Sequence, residues 1–150
     1  MANEISLLNK FVINHFDNDD LVNTISIVET ELLDNNKENI YPLVNLDFTK
    51  TDILDDVIVM SYKITIVQAR DVVPYVTDNK LLTNVNLIDN LNETHTVAQR
   101  FINVLSKQNN EDNIEIDTLS DVTLLKDWRT GLDGVQFDID LTIPNLGTSC

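Results

Sequence analysis

The sequence predicts a single α+β domain over residues 1–150, with a mostly antiparallel sheet and about two helices packed on one face. Three observations predict it. Two stretches carry apolar residues at helical spacing, Ile5-Leu8-Val12-Phe16 and Val97-Phe101-Leu105. Two others, Val57–Gln68 and Val135–Ile143, alternate with a period of two. There is no internal repeat and no Pro/Ser-rich linker to divide the chain. A chain of 150 residues buries roughly 68–70% of its unfolded surface, enough for a core without disulfides or metals.

The elements follow in order. Glu4 to Phe16 reads as a helix, with Asn3 able to cap its start and Asp17-Asn18-Asp19-Asp20 ending it. Residues 1–20 are thus a helix and an acidic turn. Leu21 to Val28 is β-branched and reads as a short strand. Asp34 to Asn39 is a polar loop. Ile40 to Phe48 reads as a strand with Pro42 near its start, a position that edge strands tolerate. In Val57 to Gln68, Ile58, Met60, Tyr62, Ile64 and Ile66 point one way, and the first half is apolar on both faces, as in a central strand. Asp71 to Lys80 contains Pro74 and reads as a loop. Leu81 to Leu91 fits neither period, so 71–91 reads as an extended loop or arm. Asn92 is the expected N-cap of a helix running to about Lys107. Gln108 to Asn113 is a polar turn. Ile114 and Ile116, then Val122, Leu124 and Leu125, mark further strands. Asp133-Gly134 is a tight-turn signal, and a strand ending at Pro144 follows it.

Charge bounds the function. Ten Lys+Arg stand against 25 Asp+Glu, giving −15. Phosphate binding needs a basic face, so neither nucleic acid nor an anionic membrane suits as a partner. No apolar run reaches the ~20 residues of a membrane span. Met1-Ala2-Asn3-Glu4 lacks the basic start of a secretion signal. The lone Cys150 can form neither an internal disulfide nor a thiolate metal site. All three glycines, Gly131, Gly134 and Gly147, lie in the last fifth of the chain, which excludes a P-loop or dinucleotide fingerprint earlier on.

Catalytic constellations are missing. His15 lies near the end of the first helix; beside Asp17 and Asp19 it reads as a general base or metal ligand, or, as the favoured alternative, as a helix C-terminal imidazole that the dipole stabilises. His95 falls near the start of the second helix, and the two are not at metal-ligand spacing. The Asp17–Asp20 run opens like a calcium loop, but Leu21 and Val22 stand where an oxygen donor and Gly are needed. Asp138 and Asp140 share a strand face, ~6.6 Å apart along the chain at strand rise. That spacing suits paired carboxylates, and it equally suits the solvated side of an amphipathic strand. No serine sits in a nucleophile motif. The sequence therefore predicts a protein that is not an enzyme and takes no metal or cofactor. Trp128-Arg129 combines two residue types favoured as interface anchors; a core tryptophan at a strand end is the equal alternative.

The order of segments resembles a known class. An amphipathic helix opens the chain, followed by Tyr41-Pro42-Leu43-Val44-Asn45-Leu46 and the strand Tyr62-Lys63-Ile64-Thr65-Ile66-Val67, closed by Asp71. Then come Arg100-Phe101-Ile102-Asn103-Val104-Leu105 and the run from Leu132 to Leu141. From Ile40 to Cys150 this is similar to the tail-terminator and head–tail connector ring proteins of tailed bacteriophages, most of all those of crAss-like phages. The resemblance rests on element order, length, Asn richness and acidity. It implies a virion structural protein in the neck or tail, made in the bacterial host cytoplasm. It implies a ring of six or twelve copies, next to portal, connector or tail proteins, with genome DNA passing through the lumen unbound. Carboxylates lining a lumen repel phosphate and let DNA slide. Asp17, Asp19, Asp20, Asp138 and Asp140 are the lumen candidates, and Trp128 and Arg129 the interface candidates. The competing expectation is an acidic DNA-mimic inhibitor, whose carboxylates would occupy a DNA-binding protein.

Overall fold

The computed structural model describes residues 4–33, 40–71, 86–107, 113–129 and 131–145. Helix α1 spans Glu4–Asp17 and α2 spans Leu87–Ser106. The strands are β1 (Thr24–Ser26), β2 (Leu43–Ile53), β3 (Val57–Ala69), β4 (Glu115–Leu119), β5 (Thr123–Trp128) and β6 (Leu132–Pro144). The sheet runs β1-β2-β3-β6-β4, with β5 also on β6. Only β1 against β2 is parallel; the other pairings are antiparallel. This is the expected α+β domain with two helices over a mostly antiparallel sheet.

β3 is central because both of its faces are buried in its middle. Ile58, Met60, Tyr62, Ile64 and Ile66 face the helices, together with Val44 and Leu46 of β2. Val135, Phe137, Ile139, Leu141 and Ile143 of β6 complete that layer. Leu8, Val12 and Phe16 of α1 and Val97, Ala98, Phe101 and Leu105 of α2 close it from above. Truncating Phe101, fully buried here, would cost about 3–5 kcal/mol by the usual cavity and transfer losses. A smaller core lies apart from it: Leu33, Leu43, Val67, Leu125 and Leu132, with Tyr41 and Trp128 against them.

Several expectations are corrected. Pro42 precedes β2, and β2 is internal, since β1 pairs with its first three residues. β2 also runs on to Ile53, past a register shift between Phe48 and Lys50, because the ladder with β3 continues although its side chains are exposed. The helix N-cap is Asn86, not Asn92. Asn92 lies inside α2, where its carbonyl accepts from Thr96 Oγ1 at 2.8 Å. Residues 87–91 of the expected arm are therefore helix; 72–85 lie outside the described residues, as do the loop at 34–39 and most of the turn at 108–113. Asp133-Gly134 is not a turn. It lies inside β6, and the chain reverses earlier, near Arg129 (φ 50°) and Gly131 (φ 124°). Gly134 is required there for close approach: a Cβ would lie 1.9 Å from the Ile66 carbonyl oxygen.

Candidate functional site

The sequence candidates fall at three separate places. Asp138 and Asp140 lie on the sheet face opposite the helices. Lys63 is in cross-strand register with both Asp47 and Asp138, and Ser61 with Asp140. By the same registers Asp52 of β2 and Glu115 of β4 share this face. The smaller core and the 3₁₀ turn Thr30–Leu32 cover one half of it. The other half is open and carries Asp52, Glu115, Asp138 and Asp140 against Lys50 and Lys63, with Asp47 at its border. Asp140 accepts from Thr118 Oγ1 at 2.7 Å. Asp138 leaves its carboxylate exposed, while its backbone N–H donates to Ser120 Oγ at 2.8 Å. Ser120 thereby bridges the break between β4 and β5. Asp47 is engaged differently: its Oδ2 accepts from Thr30 N and Thr30 Oγ1, holding the 3₁₀ turn on the sheet.

The acidic turn is on the other side of the molecule, beyond the helices. Asp17 and Asp20 are exposed. Asp19 is not: it is buried, accepts from Leu21 N, and is paired to Arg100 Nη1 at 2.9 Å. Asp19 is thus a tie between α1 and α2 rather than a lumen residue, a correction that burial forces. His15, one helical turn back, packs against Phe16 and Phe101 with ring centroids 5.2 and 5.1 Å away. Burial lowers its pKa below the ordinary value, against the opposing pull of Asp19. It is neutral near pH 7. His15, Asp19, Asp20 and Arg100 border an open groove of about 860 Å³ between α1 and α2. Leu7, Phe11 and Val104 supply its apolar lining, and Lys10 and Arg100 its cations. Its lining contains no Ser, Thr or Cys for His15 to activate.

Trp128 and Arg129 mark the third place. Trp128 is half-buried against the smaller core. The Arg129 guanidinium lies 4.7 Å from its ring centroid and donates to the Thr30 carbonyl at 3.2 Å. Beside them is a buried polar centre that sequence reasoning missed. Asp133, fully buried, accepts twice from Arg70 Nε at 3.1 Å and once from Arg70 Nη2 at 2.7 Å. Asn90 Nδ2 and Asp127 N also donate to it, at 3.1 and 2.9 Å. Burial alone would raise the Asp133 carboxyl, but Arg70 and the other donors outweigh it and hold the group below the usual carboxylate range. Asn86 extends the network, exchanging backbone and side-chain hydrogen bonds with Asp71. The signal for this centre was one Asp inside an apolar strand; the partners, 63 and 43 residues away in sequence, gave none.

Among the described residues no group of three or more His, Cys, Asp or Glu could hold a metal ion. No described helix is long and apolar enough to cross a membrane. No protein-family model and no curated protein matches the chain.

Proposed function

We propose that this chain is a virion structural protein of a tailed bacteriophage that closes into a homo-oligomeric ring in the neck or tail, with genome DNA passing through the lumen. The observation that carries the reading is the open, acidic half of the sheet face around Asp138 and Asp140. Both helices pack on the opposite face, so this surface is a rigid, strand-built wall of net negative charge. The excess of carboxylates over Lys50 and Lys63 on this wall repels the phosphate backbone and favours passage of DNA over binding. The resemblance in element order supports the same reading. The partners are further copies of the chain and the portal, connector or tail proteins above and below the ring. A ring needs heterologous contacts, one surface of a copy meeting a different surface of the next.

Native mass spectrometry over a range of protein and salt concentration tests it. The expected result is one closed oligomer of six or twelve copies. A chain that stays monomeric throughout, and that captures a basic protein in a salt-sensitive way, overturns it in favour of a DNA mimic.

A further inference from the structure

We propose that the tip of the β2–β3 hairpin of one copy docks into the groove between α1 and α2 of a second copy; this rests on the ring reading and names its contact. The tip presents two adjacent apolar side chains to solvent, Ile53 at 70% and Leu54 at 52% exposure. It is also held in shape. Leu54 N donates to the Val57 carbonyl at 2.9 Å, Asn145 Nδ2 donates to the Leu54 carbonyl at 2.7 Å, and Asn145 N donates to the Asp56 carbonyl at 2.9 Å. A preorganised tip loses little entropy on docking. None of its residues lines the groove of its own chain.

The groove matches it in size and chemistry. Its volume of about 860 Å³ accommodates several side chains, and Leu7, Phe11 and Val104 would meet Ile53 and Leu54. At the rim the tip carries Asp52, Asp55 and Asp56 and the groove offers Lys10 as its counter-charge, while Arg100, which also lines the groove, is paired to Asp19. Asp19 and Asp20 also border the groove, so it is locally balanced rather than acidic, and an acidic tip meets least repulsion there. Tip and groove are different surfaces of one chain, so the contact is heterologous and propagates from copy to copy until it closes.

The test is cross-linking in a Cys150→Ser background. Leu54→Cys and Val104→Cys chains are mixed and oxidised, each with the other and each alone. Docking predicts a disulfide-linked dimer in the mixture only. Leu54→Glu, at an exposed position that leaves the core untouched, should raise the concentration for half-assembly ~30-fold or more, as loss of an interface anchor does. Circular dichroism and melting confirm that the variant folds. A closed ring that gives no mixed cross-link and tolerates Leu54→Glu overturns the docking and leaves the ring standing. Mixed cross-links in open polymers without closure support the docking and overturn the ring. Cross-linking of Leu54→Cys alone shows tip-to-tip pairing and overturns the docking. So does a co-purifying amphiphilic small molecule in the groove with no mixed cross-link. A strict monomer without cross-links overturns both.

Discussion

Replacing Asp133 by Asn keeps the shape of the side chain and removes its charge. In the native protein the carboxylate accepts hydrogen bonds from the Arg70 guanidinium, the Asn90 amide and the Asp127 backbone N–H. Asp133 is fully buried, and the Arg70 side chain is only 19% exposed. The amide introduced by Asp133→Asn would leave Arg70 facing a neutral group in a place where water cannot fully replace the lost partner. Breaking a buried ion pair from one side costs ~3–5 kcal/mol. Some of that is recovered here because Arg70 reaches solvent, so we expect a loss at the low end, about 3 kcal/mol. At the ~2–4 °C per kcal/mol of a domain this size, the melting temperature should fall by roughly 6–12 °C. Urea unfolding followed by circular dichroism reads it, with an unchanged m-value showing that the compactness of the two end states is preserved. The pH dependence gives a second readout. The folded carboxyl lies below its unfolded value of about 3.9, so its contribution is present in full above that pH and is lost as pH falls through the folded value. The wild-type protein should lose this part of its stability below about pH 4, and Asp133→Asn should not. A loss under ~1 kcal/mol at neutral pH would refute the reasoning, since the pair would then be no stronger than one at the surface.

Other perturbations give equally definite outcomes. Gly134→Ala places a methyl carbon 1.9 Å from the Ile66 carbonyl oxygen, so β3 and β6 must part; an overpacking loss of ~1–3 kcal/mol or more in urea melts is expected, and an effect within ~0.5 kcal/mol would contradict the register. His15 should titrate in an NMR series below its unfolded value of about 6.5, because burial disfavours the imidazolium; its contribution to stability is then full above that pH and falls as pH drops toward the folded value, and His15→Phe should remove that slope. Asp138→Lys with Asp140→Lys places two cations on the open sheet face without touching the core. If that face lines a lumen, the assembled variant should retain DNA that the parent releases, with a salt dependence steepening by up to ~0.9 in log–log slope for each phosphate newly neutralised; retention no greater than that of the parent removes these residues from the lumen.

What the sequence made legible was whatever is periodic. The alternation of Val135, Phe137, Ile139, Leu141 and Ile143 matches their burial one for one, because a strand against a helix layer has no other way to place those side chains. The helix stripes were legible for the same reason. Misreadings came where one residue type serves two ends. Asn92 caps well in isolation, yet the helix starts at Leu87, where Asn86 and Asn90 join a network reaching Ala69 and Asp133. Asp133-Gly134 makes a good turn locally, but the ladder from Gln68 to Asp133 and Val67 to Gly134 holds it extended, and the glycine answers a steric demand of β3 instead. Among the site candidates, Asp138 and Asp140 share a face as alternation requires. Asp19 was misjudged because its partner, Arg100, is 81 residues away, and no local pattern reports such a distance.

The sign of the salt effect separates the ring from the mimic. Each copy carries −15, and bringing copies together costs repulsion that extends over a Debye length of ~30 Å at 0.01 M but only ~10 Å at 0.1 M. The attraction in the proposed contact is mainly apolar, from Ile53 and Leu54 against Leu7, Phe11 and Val104, and salt does not screen it. Raising ionic strength over that range should therefore strengthen self-association until repulsion is spent. A mimic bound to a basic partner is held by the very charges that salt screens, so its complex should weaken over the same range. The placement of the acids bears on this too. A mimic needs its carboxylates on one surface, whereas Asp17 and Asp20 lie beyond the helix layer and Asp138 and Asp140 across the sheet from it, with Asp19 already neutralised by Arg100. Self-association that weakens steadily with added salt would mean that opposite charges, not the apolar tip, hold the copies together. It would overturn the contact argued here even if a ring were seen.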